Sequence, residues 1–253
     1  MRLVNRTVLI TGGSGGIGLE LAGQLLRRGN TVLITGRDQG RLDAALAAFP
    51  GLHGFQSDVS DPAAIQALHH RVTAEFPTLD VLVNNAGVMR NLDFSRAGEL
   101  TDPTREIEIN LNGPIRMAGQ FLPHLLRRGE AAIVNVSSAL AFVPLPLSPV
   151  YSATKAALHS FSQSLRAQLA GTGVTVIELA PPGVETPLYR GAFAGTAAPR
   201  GMDAAVLARQ AIAGIEAGRT EIRPGLSNLL QLMSRIAPGF ALAQMVRASR
   251  RTR

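Results

Sequence analysis

The chain reads as an α/β fold: a doubly wound, mostly parallel sheet with helices on both faces, three layers in one domain of 253 residues. Three observations predict it. Short apolar runs of strand length alternate with amphipathic segments of helix length along the chain, the pattern of successive β-α-β units. A glycine-rich turn, TGGSGGIG, joins the first apolar run to the first amphipathic segment. Small or polar residues that are odd in a core recur where each strand should end, and open α/β sheets bind ligands at those C-terminal ends.

Residues 7–10 are a β-type run, and the glycine turn leads into an amphipathic segment, 19–28, that stops at Gly29. Gly12, Gly16 and Gly18 are separated by three residues and then one. Such a turn lets the backbone approach a phosphate while helix N–H groups point at it. The second strand, 31–35, is followed by Gly36 and Arg37, and Asp38 is placed to cap a helix over 39–48. A dinucleotide fold usually puts a ribose-binding carboxylate at that strand end; here a glycine holds the place with an arginine beside it. A third strand, near 52–56, ends in Ser57-Asp58-Val59. A helix over about 62–76 and a strand, 81–83, lead to Asn84-Asn85-Ala86-Gly87. One long helix is expected over about 103–128, although Asn110 and Asn112 are poor helix formers among apolar neighbours.

The strand 133–136 breaks into Ser137, Ser138 and a Pro-rich loop. Ser148-Pro149 then reads as an N-cap and first helical position, which puts Tyr151 in the first turn and Lys155 one turn later on the same face. A phenol with a pKa of about 10 is a poor acid or base near pH 7. The expectation is that the Lys155 ammonium and the positive helix end lower the Tyr151 pKa, with Ser138 bonding the same reacting oxygen. Composition sharpens this: Lys155 is the only lysine among 25 Lys plus Arg, and Tyr151 is one of two tyrosines. A compact, titratable ammonium serves there in a way that a planar guanidinium would not.

The strand 174–179 runs into Ala180-Pro181-Pro182-Gly183-Val184-Glu185-Thr186. Residues 187–201, rich in Gly, Ala and Pro, read as a mobile loop within a substrate-lid region spanning 187–218. A helix over 203–217 and a strand over 220–222 complete the alternation. Residues 226–253 form a helical basic tail, with Leu226, Leu229, Leu230, Met233 and Ile236 on one face, a break at Pro238-Gly239, and Arg247, Arg250, Arg251 and Arg253 beyond. That face is expected to pack on its own domain or a neighbouring subunit, in preference to an anionic membrane surface.

With no cysteine the chain has no disulfide, thiol nucleophile or Cys-bound metal, and the cytoplasm is the expected compartment. The five histidines form no ligand-spaced set, so no metal is expected. A net charge of +7 raises the question of nucleic acid, but 4% aromatics supply no stacking platform. The N-terminal apolar run leads straight into the glycine loop, so it is a strand and not a signal peptide.

Over essentially its whole length the chain resembles the short-chain dehydrogenase/reductase family. TGGSGGIG is similar to that family's TGxxxGxG turn, Asn84 to Gly87 to its NNAG motif, Asn110 to its helix asparagine, and Ser138 with Tyr151-Ser-Ala-Thr-Lys155 to its serine and YxxxK. The resemblance implies a Rossmann-type domain and catalysis by Asn110, Ser138, Tyr151 and Lys155. Tyr151 would be the acid/base, Ser138 would polarise a carbonyl, Lys155 would hold the nicotinamide ribose and tune the phenol, and Asn110 would hold a water. Cofactor contacts would come from Gly12, Ser14, Gly16, Ile17, Gly18, Arg37, Asp58, Val59, Asn84, Ala86, Gly87, Pro181, Val184 and Thr186, besides Tyr151 and Lys155. Asp58 and Val59 would border the adenine, and Thr186 would face the carboxamide.

The expected activity is NADP(H)-dependent interconversion of an alcohol and a hydrophobic ketone or aldehyde, NAD(H) being the less favoured cofactor. The alternative is a cofactor-binding regulator without turnover. The family also implies a homodimer or homotetramer. One departure stands out: the family's P-G-x-x-x-T turn reads P-P-G-V-E-T here, with Pro182 where glycine is usual.

Overall fold

A computed structural model describes residues 1–99, 101–194 and 200–251 of the protein. Among them seven strands form one sheet: β1 (Thr7–Ile10), β2 (Thr31–Gly36), β3 (His53–Gln56), β4 (Leu79–Asn84), β5 (Ala131–Val136), β6 (Val174–Leu179) and β7 (Glu221–Ile222). Their order is β3-β2-β1-β4-β5-β6-β7 and every pairing is parallel. The strand order reverses direction between β1 and β4, which opens a crevice at their C-terminal ends.

Alternate strand residues feed two cores. Val8, Ile10, Val32, Ile34, Val81 and Val83 pack on one face, against α1 (Gly16–Arg27) and α8 (Ala204–Glu216). Leu9, Leu33, Leu82 and Ile133 pack on the other, against α3 (Pro62–Glu75), α5 (Gly113–Leu125) and α6 (Pro149–Gln168). Burial on both sides explains why these strands are apolar runs and not alternating ones. Aspartates fix three helix starts by accepting backbone N–H bonds. Asp38 caps α2 (Gln39–Ala48) from Arg41 N at 2.9 Å, Asp61 caps α3 from Ala63 N at 2.8 Å, and Asp203 caps α8 from Ala205 N at 2.8 Å.

Two expectations need correction. The long helix over 103–128 is instead α4 (Arg105–Ile107), a π-helical turn (Glu108–Asn112) and α5. Pro114 has no N–H to give the Asn110 carbonyl, the bond that a regular α-helix makes there, and Gly113 N–H reaches back to Glu108 O instead. The lid region is shorter than expected: α8 is a core helix, with Leu207 and Ala208 fully buried. Only α7 (Pro187–Ala192) and its flanks border the crevice, and residues 195–199 lie outside the described residues.

The basic tail folds as a helical hairpin, α9 (Ser227–Ile236) and α10 (Pro238–Arg251), with α9 resting on the short turn Ala139–Ala141. Within this one chain only part of its apolar face packs on the domain: Leu230 and Met233 are half-buried, while Leu226, Leu229 and Ile236 are exposed. Among the described residues no helix is long and apolar enough to cross a membrane.

Candidate active site

A cleft of about 970 Å³ runs across the C-terminal ends of β1, β2, β4, β5 and β6. Its floor is the contact between two turns. Gly12 has φ +64°, and a Cβ there would lie 2.8 Å from Ala86 Cα, so the turn after β1 and the turn after β4 touch with no room for a side chain. Asn85 braces them: its Nδ2 donates to Thr11 O at 2.9 Å and Gly12 O at 3.1 Å. Thr11 Oγ1 accepts from Asn85 N at 3.0 Å and Ala86 N at 3.1 Å.

Most of the sequence-predicted cofactor residues border this cleft: Gly12, Ser14, Gly16, Ile17, Arg37, Asp58, Val59, Ala86, Gly87, Tyr151, Lys155, Pro181, Val184 and Thr186. Thr186 caps α7 by accepting from Tyr189 N at 3.2 Å, and its Cγ2 is 3.3 Å from where a Gly16 Cβ would sit. Pro182 and Gly183 border the cleft as well, and the Tyr189 ring covers Gly183 so closely that a Cβ would meet it at 2.6 Å.

Two of the sequence-predicted residues do not border the cleft. Asn84 is buried, with its Nδ2 donating to Asn135 Oδ1 at 2.9 Å, because strand alternation turns it into the sheet and leaves Asn85 to meet the glycine turn. Gly18 is likewise set back: a Cβ would lie 2.5 Å from Gly12 O, so the residue permits close packing of helix and turn.

At the reacting end, Ser138 follows β5 and opens the Ala139–Ala141 turn, its Oγ accepting from Leu140 N at 3.1 Å. Tyr151 and Lys155 sit in the first two turns of α6. Ser148 occupies the cap position, but its hydroxyl donates to Asn91 Oδ1 at 2.8 Å and accepts no N–H bond from the helix. Lys155 Nζ donates to Val136 O at 2.8 Å and lies 5.5 Å from the Tyr151 ring centroid. Asn110 is fully buried behind the cleft, where Val88 N donates to its Oδ1 and its Nδ2 donates to Val88 O, both at 2.8 Å. A further bond from Nδ2 to Thr154 Oγ1, at 3.2 Å, ties the turn after β4 to α6.

The electrostatics reverse one expectation. Burial pushes the Tyr151 phenol up to about 12, against the opposing hydrogen bond from Ser138 and with the charge of Glu106 adding to the rise. Burial draws Lys155 down to about 8, while Glu178 works to keep it charged. Desolvation outweighs attraction in the phenol because the ammonium bonds to a carbonyl instead of the phenol oxygen. Asp58 stays below the usual carboxylate range: its partial burial is outweighed by bonds from Ser60 Oγ and N, helped by Arg37 and Arg105.

Sequence reasoning missed several residues. Arg41 joins Arg37 in the cleft wall beyond β2, one helical turn on, a spacing legible in Arg37-Asp-Gln-Gly-Arg41. Buried Glu106 receives Arg90 N at 3.0 Å, and its burial raises its pKa. Beneath Lys155, Glu178 is 1% exposed; it accepts from Ser137 Oγ and lies 2.6 Å from His159 Nδ1. A glutamate inside an apolar strand was the available signal. The hairpin also contributes, with Leu226, Leu230 and Met245 at the cleft mouth.

A parallel sheet whose crevice joins a glycine turn to a Ser-Tyr-Lys cluster defines a dinucleotide-fold oxidoreductase. Comparison narrows the class. The sequence profile of short chain dehydrogenases matches residues 6–196, and this chain belongs to that family. The uncharacterized oxidoreductase DltE of Bacillus subtilis is 52% identical over 189 residues, 74% of this chain and 75% of that protein. A short chain dehydrogenase from Burkholderia cenocepacia, solved with NADP, superposes with a TM-score of 0.85 at 25% identity, covering 97% of this chain and 99% of that one. A short chain dehydrogenase/reductase from Burkholderia phymatum, solved with NAD, gives a TM-score of 0.82 at 23% identity over 96% of each chain, a likeness of fold alone.

Proposed function

We propose that the protein interconverts a hydrophobic ketone or aldehyde and its alcohol with NADP(H) as the hydride partner. The observation that carries this reading is the meeting of Ser138, Tyr151 and Lys155 in one cleft with the glycine turn. The residues fit a nicotinamide dinucleotide: the cradle at Gly12 and Gly16 has positive φ at both, and two guanidinium groups flank the place where a 2′-phosphate would lie. Bound there, the nicotinamide supplies or accepts the hydride.

The protein's own groups handle the proton. Tyr151, kept protonated by burial, donates from Oη to the carbonyl oxygen as negative charge develops on it. Ser138 Oγ bonds the same oxygen and aligns it. Lys155, held by Val136 O, offers its remaining N–H groups to a ribose and its charge to the phenolate that forms. Asn110 positions the Gly87–Val88 backbone, and its carbonyl, deprived of a helical donor by Pro114, is available to a water that resupplies the proton.

Leu140, Leu145, Leu147, Leu188 and Phe193 give the substrate end an apolar lining. Arg190 does not change that character, since it pairs with Glu185 at 2.6 Å. Assembly as a homodimer or homotetramer through α5 and α6 is part of the reading, supported by exposed Ile115 and Leu126.

Tyr151→Phe keeps the ring and removes the proton. It should lower kcat for ketone reduction by about 10² to 10⁴ while leaving NADPH binding, followed by fluorescence, nearly intact. A variant that retains more than about half of the rate would show that another group delivers the proton.

A further inference from the structure

Ten large hydrophobic side chains are exposed among the described residues, and six of them belong to the hairpin or its first cap: Leu226, Leu229, Leu232, Ile236, Phe240 and Leu242. Their exposure runs from 42% to 68%, far above what scattered surface leucines need to explain. Leu229, Leu232 and Ile236 recur at three- and four-residue steps and form one stripe along α9. The inner side of the hairpin is anchored, with Ser227, Ala241 and Ser249 buried. The outer stripe is therefore presented by a packed element.

Charge is segregated in the same segment. After Glu221 the sequence contains six arginines and no Asp or Glu, so these residues carry six of the net +7 charge. Arg223 is paired with Glu221, while Arg235 and Arg247 are exposed, the former beside the stripe and the latter two turns beyond Phe240. Neither helix is long and apolar enough to span a bilayer. Apolar residues with flanking arginines and no carboxylate are the chemistry of a helix that lies in the headgroup region of an anionic membrane. A second copy fits less well: a two-fold contact would set this all-positive surface against itself, with no carboxylate in either hairpin to pair with it.

We propose that the α9–α10 hairpin docks the protein on an anionic lipid surface. Leu226 and Leu230 at the start of α9, and Met245 on α10, also line the cleft mouth, so docking would place that mouth at the lipid boundary. Docking itself does not depend on the proposed reaction. The consequence that a hydrophobic substrate enters from the bilayer rests on that reading.

The test is flotation of the full-length protein with vesicles of phosphatidylcholine alone or with about one-third phosphatidylglycerol. The expected result is binding to the anionic vesicles only, weakened by high salt. Leu229→Ser/Leu232→Ser/Ile236→Ser, all outside the cleft lining, should cut the bound fraction about tenfold or more with NADPH binding unchanged. Arg235→Gln/Arg247→Gln, which leaves the apolar stripe intact, should weaken binding in step with ionic strength and serves if the triple variant does not fold. No binding to either vesicle would overturn the proposal. So would a concentration-dependent dimer that the triple variant breaks while vesicles bind neither form. Binding is read without turnover, so its failure is distinguishable from failure of the proposed reduction.

Discussion

Arg37→Ala and Arg41→Ala test cofactor choice where the structure offers two cations. Both side chains are exposed in the cleft wall beyond β2, on either side of the Asp38 cap, where the proposed function puts the adenosine. A charge-assisted bond to a phosphate contributes about 1.5 to 3 kcal/mol, and solvent screening at an exposed site favours the low end. Each single variant should then lose about tenfold in kcat/KM with NADPH, and the double variant about a hundredfold. NADH, with a hydroxyl at that place, should change by less than about threefold. Gly36→Asp supplies the carboxylate that the strand end lacks. Its Cβ would come 2.8 Å from Ser14 Oγ, a contact relieved by rotating one hydroxyl, so the substitution is tolerable and should reverse the preference. The assay is initial-rate kinetics with both cofactors and one hydrophobic ketone at two salt concentrations. Parallel losses with NADPH and NADH in Arg37→Ala/Arg41→Ala, or no loss with either, would refute the reasoning.

Three further outcomes follow from burial and titration. Above about pH 8 Lys155 loses its charge, so reductive kcat/KM should fall as pH rises through that value; Glu178→Gln removes the carboxylate favouring the ammonium and should move the falling limb to lower pH. His159 is raised by its bond to Glu178, so its stabilisation is present below the unfolded histidine pKa and lost as pH rises through the folded one; His159→Gln should lower Tm at pH 6 and change it little at pH 9. Phe121 is fully buried and meets the His69 ring edge-on at 5.1 Å, so Phe121→Ala should cost about 3 to 5 kcal/mol in urea unfolding.

The layer order was legible because the buried strands are apolar runs that close on small, polar or ring-locked residues, such as Gly36, Asn84, Ser138 and Pro181. Those closures also marked most of the cleft, since a parallel sheet brings its strand ends together whatever the loops do. Pairing across elements was less legible. Asn84 and Asn85 are neighbours in a motif, yet one bonds within the sheet and the other braces the glycine turn, a division set by strand parity at β4. Asn110 and Asn112 read as weak points in a helix, but the π turn also needs Pro114, whose missing N–H acts four residues upstream. The start of α1 was placed late because Gly16 to Gly18 show no amphipathic period, although they form its first turn. The hairpin's direction was not legible at all: a helical stripe states that one face is apolar, not whether the domain has a groove to receive it.

The Tyr151 result sharpens the role of its lysine. A phenol drawn far down before substrate arrives would be ionised and useless as a proton donor, whereas burial leaves Tyr151 protonated throughout the neutral range. In the proposed reaction Lys155 acts on the other side of the transfer. Once the proton moves to the carbonyl oxygen, a phenolate stands with an ammonium 5.5 Å from its ring. Two unit charges at that separation attract by about 3 kcal/mol at an effective dielectric of 20. Little of that attraction exists while the phenol is neutral, so it favours the transition state over the ground state and lowers the barrier to transfer. The arrangement requires a lysine that stays charged in a buried place. Glu178 meets that need from beneath the cleft, favouring the ammonium while its carboxylate is held in place by Ser137 and His159.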